Sequence, residues 1–311
     1  MSTAASPAPP APSLADRLEA FALRAGLRMV RALGPVAASN LGGAVARGIG
    51  PWLPVSRVAE DNLRHALPEL DAAARRRVVR GVWDNLGRTF LELPHVAGLR
   101  RNAAGPGWEC DDASDRVLRA VAERGGPAIF FSGHFANWEI AYAVAAAYRL
   151  RVSWFYRAAS NPLADAAIQG LRQQALGEAV PMFAKGAAGA REAVAHLRRG
   201  GLLGMLVDQK LNEGLAVPFF GRAAMTTPAL AQFALRFRCP VIPIRPVRLG
   251  PARFGVICEA PLPLPDSGDR AADVAALTRA ANEVLERWVR ATPAQWLWLH
   301  RRWPPESQKL S

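Results

Sequence analysis

From residue 13 to about residue 100, apolar residues recur at helical spacing. The stretch "SLADRLEAF" opens with Ser13 placed to cap a helix, with Asp16 three residues on and Glu19 close behind. "AEDNLRHALPELDAAARRRVVRGVWDNLGRTFLEL" carries leucine, valine and tryptophan at helical intervals, interrupted at Pro68. Pro94 and "NAAGPG" then break the pattern. From about residue 107 short apolar runs alternate with amphipathic ones. "PAIFFS", "RVSWFYR", "AVPMF", "GLLGMLVD", "PVIPIRPVRL" and "RFGVICEAP" read as strands. "NWEIAYAVAAAYRL", "NPLADAAIQGLRQQAL", "AAGAREAVAHLRRG", "TPALAQFALRFR" and "DRAADVAALTRAANEVLERWVRAT" read as helices. This alternation predicts an α/β fold, a mixed, largely parallel sheet flanked by helices, behind an N-terminal helical segment. The expected organisation is a disordered tail at 1–12, a helical region at 13–104 and an α/β domain at 105–311.

The first helix has a second property. At 100° per residue, Arg17, Arg24, Arg28 and Arg31 fall within about a sixth of its circumference, while Leu18, Ala22, Leu23, Met29, Val30 and Leu33 spread over the other side. Phe21 and Glu19 break the separation. Such a helix either lies in a membrane interface with its arginines on anionic headgroups or packs on the protein's own core. A span is not expected. The charge-free stretch Ala32 to Ala46 is broken by Gly34-Pro35, Ser39-Asn40 and Gly42-Gly43, and a spanning helix needs about 20 mainly apolar residues. Nor does "MSTAASPAPPAP" have the basic and apolar parts of a secretory signal.

Charge adds a constraint on partners. The 311 residues carry a net charge of +13, and only Lys185, Lys210 and Lys309 among the basic residues are lysines. A surface of that sign draws phosphates, anionic lipid or an acidic protein. Cys110, Cys239 and Cys258 lie far apart, so neither a disulfide scaffold nor a metal site is indicated. No G-x-S-x-G elbow, Walker A loop, H-E-x-x-H or G-x-G-x-x-G fingerprint occurs. An enzyme of this sequence would work by acid-base and electrostatic effects, with no cofactor indicated.

The candidate for that chemistry is "AIFFSGHFANWEIA", residues 128–141. His134 follows the first strand of the alternating region and precedes a helix, where α/β proteins expose functional groups. Gly133 permits a tight turn. Glu139, in the first helical turn, is placed to accept a proton from one ring nitrogen and leave the other as a general base. His65, His95, His196 and His300 lack such surroundings and read as structural.

These residues resemble the H-x-x-x-x-[DE] block of glycerolipid-type acyltransferases, in the Asn-Trp-Glu form of the late lauroyl/myristoyl acyltransferases of lipid A assembly. Further blocks stand in the same order: "EDNLRHALPEL", "FYRAASNPLAD", "VDQK", "VPFFGRAAMTTPALAQFALRFRCPVIP" and "PAQWLWLHRRW". The resemblance runs from about residue 14 to 303. Ala136 departs from a more usual glycine and Ala294 from a more usual glutamate, and the N-terminal apolar segment is weaker than in many relatives.

The resemblance implies transfer of a fatty acyl chain from an acyl carrier protein thioester to a hydroxyl of an anionic, glucosamine-based lipid, a lipid A precursor. It implies a location at the cytoplasmic face of the inner membrane, peripheral or weakly inserted through the N-terminal helices, with no covalent intermediate and no nucleic-acid partner. His134 would deprotonate the acceptor and Glu139 steady the imidazolium. Arg157 would bind acceptor phosphate or the developing oxyanion. Asp208, Asn161, Arg222 and Arg301 would contribute to substrate binding, and the tryptophans of "WLWLHRRW" suit either a membrane surface or packing of the C-terminus. Two alternatives stay open. One keeps the chemistry with another glycolipid, an aminolipid or water as acceptor. The other is a non-enzymatic basic protein, which accounts for the charge but not for His134 and Glu139 at a strand-helix junction.

Overall fold

A computed structural model describes residues 12–102 and 104–303. The reading of residues 1–12 as a tail lies, but for Pro12, outside the described residues.

Ser13 caps helix α1 (Leu14–Ala32): its Oγ accepts from the Asp16 N–H at 3.1 Å, and Asp16 answers by accepting from the Ser13 N–H at 2.8 Å. Gly34, at φ +72°, turns the chain into α2 (Pro35–Ile49), with Pro35 in the first helical position. The chain stops α3 (Ser56–Ala66) just short of Pro68, and Asp71 caps α4 (Ala72–Glu92). Helices α2 and α4 cross through glycines. A Cβ on Gly42 would lie 2.2 Å from the Gly87 carbonyl oxygen, and one on Gly87 would lie 2.1 Å from that of Gly42.

After this helical layer come β1 (Gly107–Cys110), α5 (Asp112–Arg124), β2 (Ala128–Ser132), α6 (Ile140–Ala147), β3 (Val152–Tyr156), α7 (Pro162–Leu176), β4 (Met182–Ala184), α8 (Ala187–Arg198) and β5 (Leu202–Leu206). The chain continues as β6 (Lys210–Phe219), β7 (Arg222–Thr226), α9 (Ala229–Phe237), β8 (Val241–Gly250), β9 (Arg253–Cys258) and α10 (Arg270–Ala291). Seven strands form one sheet in the order β1-β9-β8-β2-β5-β3-β4, with β8 and β9 antiparallel and every other pair parallel. The mixed, largely parallel sheet read from the sequence is the one formed. β6 and β7 make a separate antiparallel ribbon that hydropathy does not mark, because Lys210–Gly214 is too polar to read as a strand.

β2 lies at the sheet's centre, and its unbroken apolar run follows from burial on both faces. Ile129 and Phe131 enter a core with α3, α4, α8, α9 and α10, and Ala128 and Phe130 enter the opposite core with α5, α6 and α7. Helices α3 and α4 therefore share a core with the sheet, and α1 and α2 pack outside it. Among the described residues no helix is long and apolar enough to cross a membrane.

The crossing of α2 and α4 yields a stability test. Gly87→Ala forces the two helices apart and is expected to cost about 1–3 kcal/mol, seen as a lower thermal midpoint by circular dichroism. Gly48→Ala, on α2 with no atom within 4 Å of the added carbon, is expected to hold or raise the midpoint.

Candidate active site

Strands β2 and β5 are parallel neighbours, and their register places Ser132 opposite Leu206. The residues two positions beyond each strand, His134 and Asp208, therefore emerge side by side at the C-terminal edge of the sheet. Asp208 Oδ1 lies 2.8 Å from His134 Nδ1, and Oδ2 accepts from the His134 backbone N–H and from Trp296 Nε1, each at 2.8 Å. With Asp208 ionised, Nδ1 carries the proton and donates it, which fixes the tautomer. Nε2 then presents its lone pair and has no protein partner among the described residues. The imidazole keeps 16% of its side-chain surface, while Asp208 keeps 3%.

Burial works to raise the carboxyl pKa of Asp208. The charge and hydrogen bonds of His134, with the Trp296 bond, outweigh it and hold Asp208 down to about 2. Gly133 makes the approach possible, since a Cβ there would lie 3.0 Å from the Asp208 carboxyl carbon. The ring is set from the other side by Trp138, edge-on with centroids 5.0 Å apart.

Glu139 is not the residue that meets His134, and this corrects the pairing read from the sequence. Residues 137–139 form a turn before α6 begins at Ile140, so Glu139 faces α7 instead of the imidazole. There Arg172 donates Nε to Oε2 at 2.8 Å and an η-nitrogen to Oε1 at 2.6 Å, and Trp138 Nε1 donates to Oε1 at 3.1 Å. Burial alone would make Arg172 less basic, yet the bonds and charge of Glu139 raise it above the usual arginine range. Glu139 reaches the imidazole at one remove, through the indole of Trp138.

The turn itself is strained. Ala136 adopts φ +43°, the left-handed region, which costs a residue with a Cβ about 1–2 kcal/mol. Its N–H donates to the Gln295 carbonyl at 2.8 Å, and Leu297 N–H donates to the His134 carbonyl at 3.1 Å. The segment after α10 thus returns across the turn at residues 134–136, and Asn62 on α3 ties it down by donating to the Trp298 and His300 carbonyls at 2.9 and 2.8 Å.

The other candidates divide. Arg157 is exposed one residue past β3, at the edge where His134 and Asp208 emerge. Lys185 follows the adjacent β4 in register with it. Asp208 takes the place expected of Glu139 beside the ring rather than a place in substrate binding. Asn161 is spent on structure, a second correction. Its Oδ1 caps α7 through the Leu163 and Ala164 N–H groups, and its Nδ2 holds α1 through the Asp16 carbonyl and the Glu19 carboxylate. Arg222 is exposed at the tip of the β6–β7 ribbon and Arg301 in the C-terminal segment, and neither is brought against His134 by a described contact. Arg302 is buried, donating to the Met225 carbonyl at 3.0 Å and to Thr226 Oγ1 at 2.7 Å over the Phe219 ring, and burial pushes it down to about 10. Trp296, Trp298 and Trp303 are buried with Phe219 and Phe220, so they pack the C-terminus and do not meet a membrane. His95, His196 and His300 each bond backbone, to Val30, Leu202 and Lys210. Among the described residues no cluster of His, Cys, Asp and Glu could hold a metal ion.

Sequence reasoning missed Arg172, and it read Trp296 as packing or membrane-facing without its bond to Asp208. The position of Asp208, ending "GLLGMLVD", was visible, but its adjacency to His134 depended on strand order.

The sequence model of bacterial lipid A biosynthesis acyltransferases matches residues 13–304, nearly the whole chain. The chain belongs to that family. It is an acyltransferase acting in O-acyl transfer. No curated protein matches the chain. In this acyltransferase the candidate site is one imidazole with a fixed tautomer, reachable from solvent and backed by a buried carboxylate.

That arrangement has measurable consequences. Asp208→Asn leaves the ring without its anionic partner and is expected to lower kcat by about 10²–10⁴, with Glu139→Gln losing less. Because Asp208 is depressed in the folded state, its stabilising contribution is present above pH 4 and is lost as pH falls toward its folded value of about 2. Acid titration followed by tryptophan fluorescence should show a shallower loss of stability between pH 4 and 2 for Asp208→Asn than for wild type.

Proposed function

We propose that this protein transfers a fatty acyl chain from an acyl carrier protein thioester to a hydroxyl of a lipid A precursor, with His134 as general base and Asp208 as its partner. The observation that carries the proposal is the 2.8 Å bond from Nδ1 to a buried carboxylate, which leaves Nε2 as the base. As the acceptor oxygen bonds to the thioester carbonyl carbon, Nε2 takes the hydroxyl proton and Asp208 balances the imidazolium. The tetrahedral intermediate then collapses with cleavage of the carbon–sulfur bond, and the imidazolium gives its Nε2 proton to the departing thiolate. No covalent enzyme intermediate is needed. Glu139 supports the site through Arg172 and Trp138. Arg157, with Lys185 beside it, supplies positive charge for acceptor phosphate or the oxyanion. Arg222 and Arg301 add to the field that steers the acidic carrier protein and the anionic acceptor toward a +13 chain.

The same reading puts the enzyme peripherally on the cytoplasmic face of the inner membrane. Among the described residues, every exposed large apolar side chain apart from Phe90, Leu211 and Leu249 lies between Leu14 and Val55, and Trp52 is 87% exposed. Leu14, Leu18, Phe21 and Met29 line one side of α1, and Leu41, Val45 and Ile49 line one side of α2. Arg17, Arg24 and Arg28 stand exposed among them. Apolar side chains interleaved with arginine suit insertion to headgroup depth.

Purified protein incubated with acylated carrier protein and a tetra-acylated lipid A precursor should give a product heavier by one acyl group in mass spectrometry, and His134→Asn should give none. Free fatty acid with no lipid product would make the enzyme a thioesterase. On vesicles containing anionic lipid, the Phe21→Ser, Trp52→Ser double variant should co-sediment at least several-fold less than wild type, while turnover of soluble donor to water-dispersed acceptor changes little. Equal sedimentation would remove the membrane assignment.

A further inference from the structure

We propose that helix α4 aims the catalytic histidine: Asn85 and Thr89 are positioning residues that hold the Ala136 peptide in its left-handed conformation. This rests on the reading of His134 as the base. Asn85 Nδ2 donates to the Ala136 carbonyl at 3.0 Å, and Thr89 Oγ1 lies 2.9 Å from the same oxygen. The Thr89 hydroxyl has one hydrogen and also lies 2.9 Å from the Asn85 carbonyl, so the amide of Asn85 is the steadier donor. That amide cannot flip without loss, because Arg248 Nε donates to Asn85 Oδ1 at 2.8 Å and so holds Nδ2 toward Ala136.

Arg248 is fixed in turn. Its guanidinium forms a two-pronged pair with Glu92, the last residue of α4, whose carboxylate is fully buried. Glu92 also accepts from Ser39 Oγ at 2.6 Å, from the Ala252 N–H at 3.0 Å and from Asn137 Nδ2 at 2.9 Å, and Asn137 Oδ1 accepts from the Glu139 N–H at 3.1 Å. Helix α4 therefore grips residues 136 and 137 from one side while the C-terminal segment grips residues 134 and 136 from the other. An alanine in left-handed backbone returns to an ordinary conformation when nothing holds it. The return turns the peptide two residues past His134, and the ring then leaves the line set by Asp208 and Trp138.

The test uses Asn85→Asp, which still accepts from Arg248 but offers an oxygen to the Ala136 carbonyl, together with Thr89→Val. Steady-state kinetics and thermal unfolding are read for both variants, with and without Ala136→Gly, and His134→Asn serves as reference. The expected result is a fall in kcat of roughly 10- to 100-fold with KM little changed. Most of it should be recovered on adding Ala136→Gly, because glycine occupies the left-handed region at no steric cost. Thr89→Ser, which keeps the donor, should exceed Thr89→Val in kcat by about five-fold or more. Wild-type kcat in the Asn85→Asp, Thr89→Val protein, or a loss that Ala136→Gly does not recover, overturns the proposal. If the double variant does not fold, Thr89→Val alone decides: equality with Thr89→Ser overturns it. Undiminished turnover by His134→Asn would instead sink the general-base reading.

Discussion

Asp208 is a carboxylate that gives up water for three hydrogen bonds, and the site depends on that exchange being favourable. Burying an ion costs several kcal/mol. Bonds to a charged group return about 1.5–3 kcal/mol each, so three of them offset the cost and two would leave it marginal. This explains why the third donor, Trp296, comes from so distant a part of the chain. It explains too why Gly133 lacks a side chain: any carbon there would push the carboxylate away from two of its donors. An ionised Asp208 then locks the imidazole tautomer, and the general-base chemistry proposed for His134 follows from that tautomer.

How much of this the sequence could show is set by the range of each interaction. His134 was legible because its setting is local: a buried run, a glycine, a turn and a helix lie within a dozen residues. Its partner was not. Glu139 is the nearest carboxylate along the chain, whereas Asp208 is nearest in space only because β5 is inserted beside β2, and strand order is not encoded in hydropathy. Asn161 was misread for a related reason, since an asparagine before a proline-led helix caps that helix, and here its spare amide is taken by α1. Most helices and sheet strands were readable from apolar periodicity, though β1 and α5, which precede the central strand, were not. The polar ribbon of β6 was not, because it buries little along its first half.

The first helix shows how two readings that look exclusive from a helical wheel can both hold. Ala20, Leu23, Leu27 and Val30 face the protein, with Ala20 buried, while Leu14, Leu18, Phe21 and Met29 point outward. The wheel shows poor segregation because the helix has two apolar sides, one for each contact, with arginines between them. Asn161 and Ser39 then connect this outer layer to the sheet edge and to the Glu92–Arg248 pair. The surface proposed to meet lipid is thus mechanically continuous with the turn that carries the proposed base.

Trp296 lies 88 residues beyond the carboxylate it completes. During synthesis β2 and β5 can pair long before that indole leaves the ribosome, so the nascent chain carries a half-desolvated aspartate and a turn fastened on one side only. The third bond to the carboxylate therefore forms as a late event of biosynthesis, after the strands that frame it are assembled.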